Sequence, residues 1–189
     1  MVDARDLKSL GKSVPVRVRP PVPGVRMILI YDDLMPELAS VDKYYTDKSS
    51  LEQKLIADYK LDQVLTKLWN LASKHYDLSN VVVTESWAHN EHTVQYLNWH
   101  VDDDVEYRRF TGISLFPQCT MLYYPLVDES IMGGRFCIGS DRIEARTNRA
   151  IIFDSNLKHT VEPLRGGRRV SVVYNPWNHQ VKKHLRTPL

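Results

Sequence analysis

The sequence predicts an α+β, mainly β fold in which N-terminal helices pack on an antiparallel β-sandwich or small barrel. Two features support this class. Before residue 80, many apolar residues follow the three-to-four-residue spacing of an amphipathic helix. After residue 80, short runs rich in Val, Ile, Tyr and Phe are separated by Gly, Pro, Asn and Asp. Helices followed by many short strands are typical of helices that cover an antiparallel sheet.

The composition is that of an ordinary globular domain. The chain has 189 residues, 43% hydrophobic and 25% charged, which argues against a disordered chain or a disulfide miniprotein. Its 25 Lys and Arg nearly balance its 23 Asp and Glu, for a net charge of +2. Because binding to phosphate backbones needs clustered positive charge, nucleic acid is disfavoured as a partner.

The two cysteines and the hydropathy pattern bear on the compartment. Cys119 and Cys137 lie in apolar runs and are predicted to be buried free thiols. No run approaches the roughly 18–20 apolar residues that span a bilayer. The N-terminal segment also lacks the apolar region of a signal peptide. A cytoplasmic protein with no membrane partner is therefore expected.

The N-terminal part divides into an arm and supporting helices. Residues 1–24 are predicted to form an extended arm, because four prolines and a glycine at positions 15–24 disfavour a helix. Residues 25–189 are predicted to form a single domain that starts with a strand at 27–31. Helical support is expected over about residues 36–75, with one helix at 36–46 and a stronger one starting at Ser50.

The β core is expected over about residues 80–176. His89-Asn90-Glu91-His92 is predicted to be a solvated loop, and residues 103–109, charged in both signs, a loop at the mouth of the site. Residues 159–174 are predicted to form a β-hairpin that turns at Gly166-Gly167. Short strands are predicted at 81–83, 94–99, 112–116, 120–124, 135–138, 150–153 and 170–174.

Three residues form a candidate metal site. His100 and Asp102 are two positions apart, so they project to the same side of an extended chain. That pair alone is a weak signal, but His159 follows a predicted strand and a short turn. Two imidazoles and one carboxylate leave three positions of an octahedron open, as in the facial triad of non-haem Fe(II) oxygenases. The open positions would admit a cosubstrate and O2.

An arginine pair follows the glycine turn. At about 3.3 Å per residue, the backbone of residue 169 would lie roughly 15 Å along the strand from His159, too far to reach a metal. A guanidinium there suits bidentate binding of the far carboxylate of a dicarboxylate that chelates the metal. A two-residue turn would put Arg168 on the face of His159, and a three-residue turn or a bulge would put Arg169 there.

The ordered set of motifs resembles the 2-oxoglutarate/Fe(II)-dependent dioxygenases, most closely the prolyl 4-hydroxylase-like branch. The resemblance covers about residues 92–176, with a weaker match at 30–38. Arg135 departs from it, since the branch usually has an acidic residue after the paired glycines. The matching pieces are His100-x-Asp102, Thr120 to Tyr124, Gly133-Gly134-Arg135-Phe136, Ala150 to Asp154, His159-x-Val161-x-Pro163 and Arg169-x-Ser171.

The resemblance implies a double-stranded β-helix, or jelly roll, with N-terminal supporting helices. It implies that His100, Asp102 and His159 hold Fe(II), with ascorbate a candidate reductant. The spacing in this branch favours Arg169 over Arg168 for the distal carboxylate of 2-oxoglutarate. Ser171 and Tyr124 would be secondary contacts to this cosubstrate. The implied reaction consumes O2 and 2-oxoglutarate, releases succinate and CO2, and hydroxylates an aliphatic C–H bond.

The substrate is left open by the sequence. The branch favours a prolyl residue of a peptide or protein, and the alternative is a free amino acid or another small metabolite. A non-catalytic jelly-roll binding module and a Zn or Mn cupin-like isomerase are further alternatives. Trp99, Tyr174 and Trp177 are expected either to line the pocket or to pack in the core.

Overall fold

The computed structural model describes residues 16–18, 27–35, 52–54, 63–91 and 98–181. These residues contain two helices and twelve strands. The helices are α1 (Gln63–Ala72) and α2 (Val105–Thr111). The strands are β1 (Val16–Val18), β2 (Ile28–Tyr31), β3 (Glu52–Lys54), β4 (Val83–Glu91), β5 (Thr120–Val127), β6 (Met132–Gly133), β7 (Phe136–Ile138), β8 (Asp141–Ile143), β9 (Arg149–Phe153), β10 (His159–Val161), β11 (Leu164–Gly166) and β12 (Arg169–Trp177).

Seven strands form the major sheet, in the order β1-β2-β9-β5-β12-β4-β3, with all neighbours antiparallel. Strand β12 lies inside this sheet and pairs with β4 on one side and β5 on the other. All nine of its residues are buried, because both faces of this strand are covered. The strand is therefore a fully buried interior strand of the major sheet.

Two smaller sheets complete the β core: β10-β7-β8 and β11-β6. The inner face of the major sheet contributes Leu122, Ile151 and Phe153 to one apolar cluster, and β7 adds Phe136 and Ile138. The two layers thus face each other across a shared core. The α+β, mainly β class is confirmed.

Helix α1 covers the outer face of the major sheet. Its buried residues are Val64, Leu65, Leu68 and Ala72, a spacing that lies along one side of a helix. They pack in a second cluster with β-strand residues such as Met121 and Tyr123. This part of the predicted helical support is confirmed, and the predicted helix at 36–46 lies outside the described residues.

The helix expected to start at Ser50 is wrong at Glu52–Lys54, which form strand β3. These three residues pair with Thr84, Glu85 and Ser86 on β4. Pairing with the edge of β4 satisfies the backbone groups of this segment and overrides its helical spacing. Of the predicted N-terminal arm, the structure describes Val16–Val18, which form β1 beside β2.

The predicted hairpin at residues 159–174 is also wrong. Strand β10 pairs with β7 in a small sheet, whereas β12 pairs with β4 and β5 in the major sheet. Between them, β11 pairs with β6, and Gly133, at φ +81°, lies so close to Pro163 that a Cβ would be 2.2 Å from its carbonyl oxygen. The chain thus crosses from one layer to the other, and β10 and β12 belong to opposite layers.

Three further local predictions are corrected. The predicted loop at 103–109 contains α2, because Asp104 caps the helix by accepting a hydrogen bond from the Tyr107 N–H at 2.9 Å. The predicted strand at 112–116 is absent from the described structure, since Gly112 ends α2 at φ +73° and an irregular segment follows. His89–Glu91 continue β4 instead of forming a loop, and they pair with Arg169–Ser171.

Of the predicted strand at 94–99, residues 94–97 lie outside the described ranges, and 98–99 are irregular.

No helix within the described ranges is both long enough and apolar enough to cross a membrane.

Candidate metal centre

His100, Asp102 and His159 converge at one end of the space between the layers. Each offers one ligand atom, and these atoms lie within 4.8 Å of one another. His159 Nε2 and Asp102 Oδ1 are 3.8 Å apart. The backbone places them, because His100 and His159 exchange two N–H···O hydrogen bonds, of 3.0 and 2.9 Å. The Asp102 N–H in turn donates to the Ser155 carbonyl at 3.3 Å.

Both imidazoles are oriented by backbone carbonyls. His100 Nδ1 lies 2.9 Å from the Asn98 carbonyl oxygen, and His159 Nδ1 lies 2.9 Å from that of Leu157. Because a carbonyl oxygen can only accept, each Nδ1 carries the proton. In the neutral rings, Nε2 therefore keeps the lone pair that coordinates a metal.

Thr120 orients the carboxylate. Its buried hydroxyl donates to Asp102 Oδ2 at 2.7 Å, and Ser155 Oγ lies 3.1 Å from the same hydroxyl. Asp102 Oδ1 is the oxygen nearer to His159. A carboxylate held through one oxygen presents the other to a cation, which is the usual arrangement behind metal ligands.

His159 is enclosed by aromatic rings. Its ring centroid lies 5.5 Å from that of Phe136 and 5.1 Å from that of Phe153. This burial lowers the pKa of His159 below its ordinary value. The neutral, metal-binding form is therefore favoured at neutral pH.

A cavity with about 660 Å³ of empty space, part of it open to solvent, extends from these residues. Thr120 lies at the metal end of β5, and Tyr124 lies four residues further along, or about 13 Å at 3.3 Å per residue. Apolar Leu122 and Val173 lie between the two ends. The lining comprises Trp87, His89, His100, Asp102, Thr120, Leu122, Tyr124, Phe136, Phe153, His159, Val161, Arg169, Ser171 and Val173.

Arg169, Ser171 and Tyr124 also line the cavity. All three are buried. The register places Arg169 opposite Val127, at the end of β5 away from Thr120 and the candidate metal ligands. Arg169 Nη1 donates to the Gly134 carbonyl at 2.8 Å, which orients the guanidinium. Arg168 is not among the lining residues, and its backbone N–H donates to Asp128 Oδ2 at 2.7 Å.

The three aromatic residues that were expected either to line the pocket or to pack in the core differ in their positions. Trp99 is 40% exposed beside His100, and the Arg142 guanidinium lies 5.8 Å from the centre of its ring. Tyr174 is buried in the cluster under α1, and Trp177 donates its indole N–H to Glu85 Oε2 at 2.9 Å. Tyr174 and Trp177 are therefore core residues outside the cavity lining.

Trp87 and His89 are among the lining residues that sequence reasoning missed. Both face the cavity from β4. Extending the strand predicted at 81–83 through residue 89 would have indicated their shared face, since alternate residues of a strand project to the same side. The polar sequence at 89–92 concealed it, because it was interpreted as a loop.

Arg135, which stands where the resembling branch usually has an acidic residue, forms an ion pair with Glu162. Its guanidinium donates to both carboxylate oxygens of Glu162, at 2.6 and 2.9 Å. These charge-assisted bonds lower the pKa of the Glu162 carboxyl and join the start of β7 to the connection after β10. Arg135 is outside the cavity lining, so the pair is a structural contact.

The protein resembles known proteins in its structure and not detectably in its sequence. No family model and no curated protein matches the sequence. The structure is similar to two crystal structures of the viral collagen prolyl hydroxylase of Paramecium Bursaria Chlorella virus-1. The truncated form aligns with a TM-score of 0.58 and 14% identity over 84% of this chain and 93% of that one. The complex with 2-oxoglutarate aligns with a TM-score of 0.51 and 15% identity over 79% and 94%. The predicted double-stranded β-helix is thus confirmed, since this chain shares the fold of that viral hydroxylase.

Proposed function

We propose that this protein is an Fe(II)- and 2-oxoglutarate-dependent dioxygenase that hydroxylates an aliphatic C–H bond, with a prolyl residue of a peptide or protein as the substrate. The observation that carries the proposal is the convergence of His100, Asp102 and His159 at one end of a cavity with Arg169 at the other. Two imidazoles and one carboxylate are the ligand set of non-haem Fe(II) oxygenases.

The residues fit the metal because each is already oriented for coordination. The carbonyl bonds leave Nε2 of both imidazoles available, and the Thr120 hydroxyl holds Asp102 by one oxygen. When bound, Fe(II) and 2-oxoglutarate with O2 supply oxidative decarboxylation to succinate and CO2, coupled to transfer of one oxygen atom to a C–H bond.

The remote end of the cavity fits a carboxylate. The Arg169 guanidinium is buried and directed by Gly134, and Ser171 and Tyr124 add hydroxyl groups nearby. A guanidinium matches a carboxylate with two parallel hydrogen bonds. Leu122 and Val173 supply apolar walls for the methylene groups between the two ends and exclude water from them.

Two observations support a prolyl substrate. The structurally similar viral protein is a collagen prolyl hydroxylase. Trp99, which precedes His100 in the chain and lies outside the cavity lining, has an aromatic ring that is 40% exposed. Exposed aromatic rings are the common docking surface for extended proline-rich peptides.

The test measures succinate release from 2-oxoglutarate by the Fe(II)-loaded protein with ascorbate and O2. Proline-rich peptides, free proline and other free amino acids are compared as substrates, and mass spectrometry follows the gain of one oxygen atom. Stimulation by a proline-rich peptide, with the oxygen on proline, is the expected result. Stimulation by a free amino acid alone would replace the peptide substrate with a metabolite.

Absence of both turnover and 2-oxoglutarate binding would identify a binding module instead of an enzyme. Activity with Zn or Mn without O2 would identify an isomerase. The matched control for the metal site is His75→Ala, since His75 is exposed and lies outside the cavity.

A further inference from the structure

His89 places a third imidazole in the cavity, in addition to those of the candidate metal ligands His100 and His159. It lies on β4, directly opposite Ser171 of β12. Both residues line the cavity, as does Trp87, which is opposite Val173. Residues directly opposite in an antiparallel pair have Cβ atoms about 4.5–5.5 Å apart, so the imidazole and the Ser171 hydroxyl share one wall.

The register places His89 at the remote end of the cavity. On its other side, β12 pairs with β5, where Val172 faces Tyr123 and Val173 faces Leu122. Ser171 is therefore level with the segment that begins at Tyr124. His89, Ser171 and Tyr124 thus form a row across three adjacent strands, beside Arg169 and away from the metal ligands.

We propose that His89 donates a hydrogen bond to the far carboxylate of the bound dicarboxylate, in addition to the contacts from Arg169. This inference rests on the proposed function, since it assigns a residue to the cosubstrate. An ionised carboxylate has about four lone-pair positions, and a bidentate guanidinium occupies two of them. The imidazole has at least one N–H in every protonation state, so it can occupy a third.

Direct binding measurements test the assignment without turnover. Calorimetry on the Mn(II)-loaded protein gives dissociation constants for 2-oxoglutarate and for 2-oxopentanoate, which has the same chain length but a methyl group in place of the far carboxylate. We expect His89→Phe to weaken 2-oxoglutarate binding about tenfold, equivalent to about 1.4 kcal/mol, and to leave 2-oxopentanoate binding unchanged. His89→Gln, which keeps an N–H donor, should recover part of the loss.

His75→Phe is the matched control, because it makes the same substitution at an exposed position outside the cavity. Its dissociation constants should equal those of the wild type, and Mn(II) affinity should be the same in all variants. Equal weakening of both keto acids by His89→Phe, or no weakening of either, would overturn the assignment while the proposed function stands. Failure of the wild type to bind 2-oxoglutarate would instead overturn the proposed function itself.

Discussion

The candidate ligands are held by the groups behind them as well as by their own positions. His100 and His159 share two backbone hydrogen bonds, and each ring is oriented by a separate carbonyl. Such an arrangement exists before a metal arrives, so little ordering is needed on binding. Metal affinity should therefore depend on each imidazole.

Replacing either imidazole should abolish metal binding and decarboxylation. His100→Ala and His159→Ala each leave two ligands, which do not retain Fe(II) against its hydration shell. Calorimetry with Mn(II) and succinate release under Fe(II) measure the two effects. Retained decarboxylation in His100→Ala would refute the ligand assignment, and His75→Ala controls for the loss of an imidazole elsewhere.

Thr120 supports Asp102 without being a ligand. Thr120→Val keeps the shape of the side chain but removes the hydroxyl that donates to Asp102 Oδ2. We expect metal affinity to fall about 10- to 100-fold, the usual effect of removing a group behind a ligand. Thr147→Val, at an exposed position outside the cavity, is the control. An unchanged Mn(II) dissociation constant in Thr120→Val would show that the hydroxyl does not orient the carboxylate.

The two adjacent arginines should separate in their effects. Arg169→Ala removes the buried guanidinium at the remote end of the cavity and should raise the 2-oxoglutarate KM by at least tenfold, as expected for charge-assisted hydrogen bonds worth about 1.5–3 kcal/mol. Arg168→Ala alters a residue outside the lining and should leave the KM near the wild-type value. Steady-state kinetics measure both, and an equal loss in Arg168→Ala would transfer the role to that residue.

The connection between β10 and β12 shows where sequence reasoning failed at the scale of elements. Gly166-Gly167 resembles a hairpin turn, and the strands on both sides were identified near their observed positions. Nothing local showed that β11 would pair with β6, some thirty residues earlier in the chain. His159 and Arg169 nevertheless line one cavity, as their motifs led us to expect, because they were assigned from those motifs and not from the turn.

Helix α2 was missed for a different reason. It has seven residues, too few for apolar periodicity to be recognised, and none of its residues is buried. Its signals were its ends: Asp104 at the N-cap and Gly112 in the left-handed conformation. If Asp104 and Gly112 had been interpreted together as the two ends of a helix, they would have predicted α2, whereas the mixed charges between them indicated a loop.

The close approach of β6 and β11 makes Gly133 a sensitive position. A Cβ at Gly133 would lie 2.2 Å from the Pro163 carbonyl oxygen, whereas a Cβ at Gly139 would meet nothing within 4 Å. Both residues have positive φ, +81° and +55°, so alanine at either costs about 1–2 kcal/mol of backbone strain. Gly133→Ala should lose clearly more unfolding free energy than Gly139→Ala in urea denaturation, and equal losses would contradict the backbone contact.

In the molecule as a whole, the two layers are expected to differ in their stability against local unfolding. The major sheet is covered by α1 on one face and by the small sheets on the other. The three-stranded sheet β10-β7-β8 forms a separate hydrogen-bonded unit. Its strands of three residues each leave few backbone hydrogen bonds to break, so it should open before the major sheet.

The reactivity of the two free cysteines tests whether the three-stranded sheet opens before the major sheet. Cys119 is packed in the cluster under α1, and Cys137 lies on β7 in the three-stranded sheet. Burial raises the pKa of both thiols, so neither should react in the native state. In rising urea, Cys137 should be labelled by a thiol reagent before Cys119, followed separately in Cys119→Ala and Cys137→Ala. Simultaneous labelling would indicate a single cooperative unit.

Strand β5 carries both ends of the cavity, with Thr120 at one and Tyr124 at the other. The length of diacid that the proposed site would accept therefore depends on the register of β5 with β12, which carries Arg169, and not on the conformation of a loop. A diacid one methylene shorter would not reach the guanidinium, and a diacid one methylene longer would have to bind in a bent conformation.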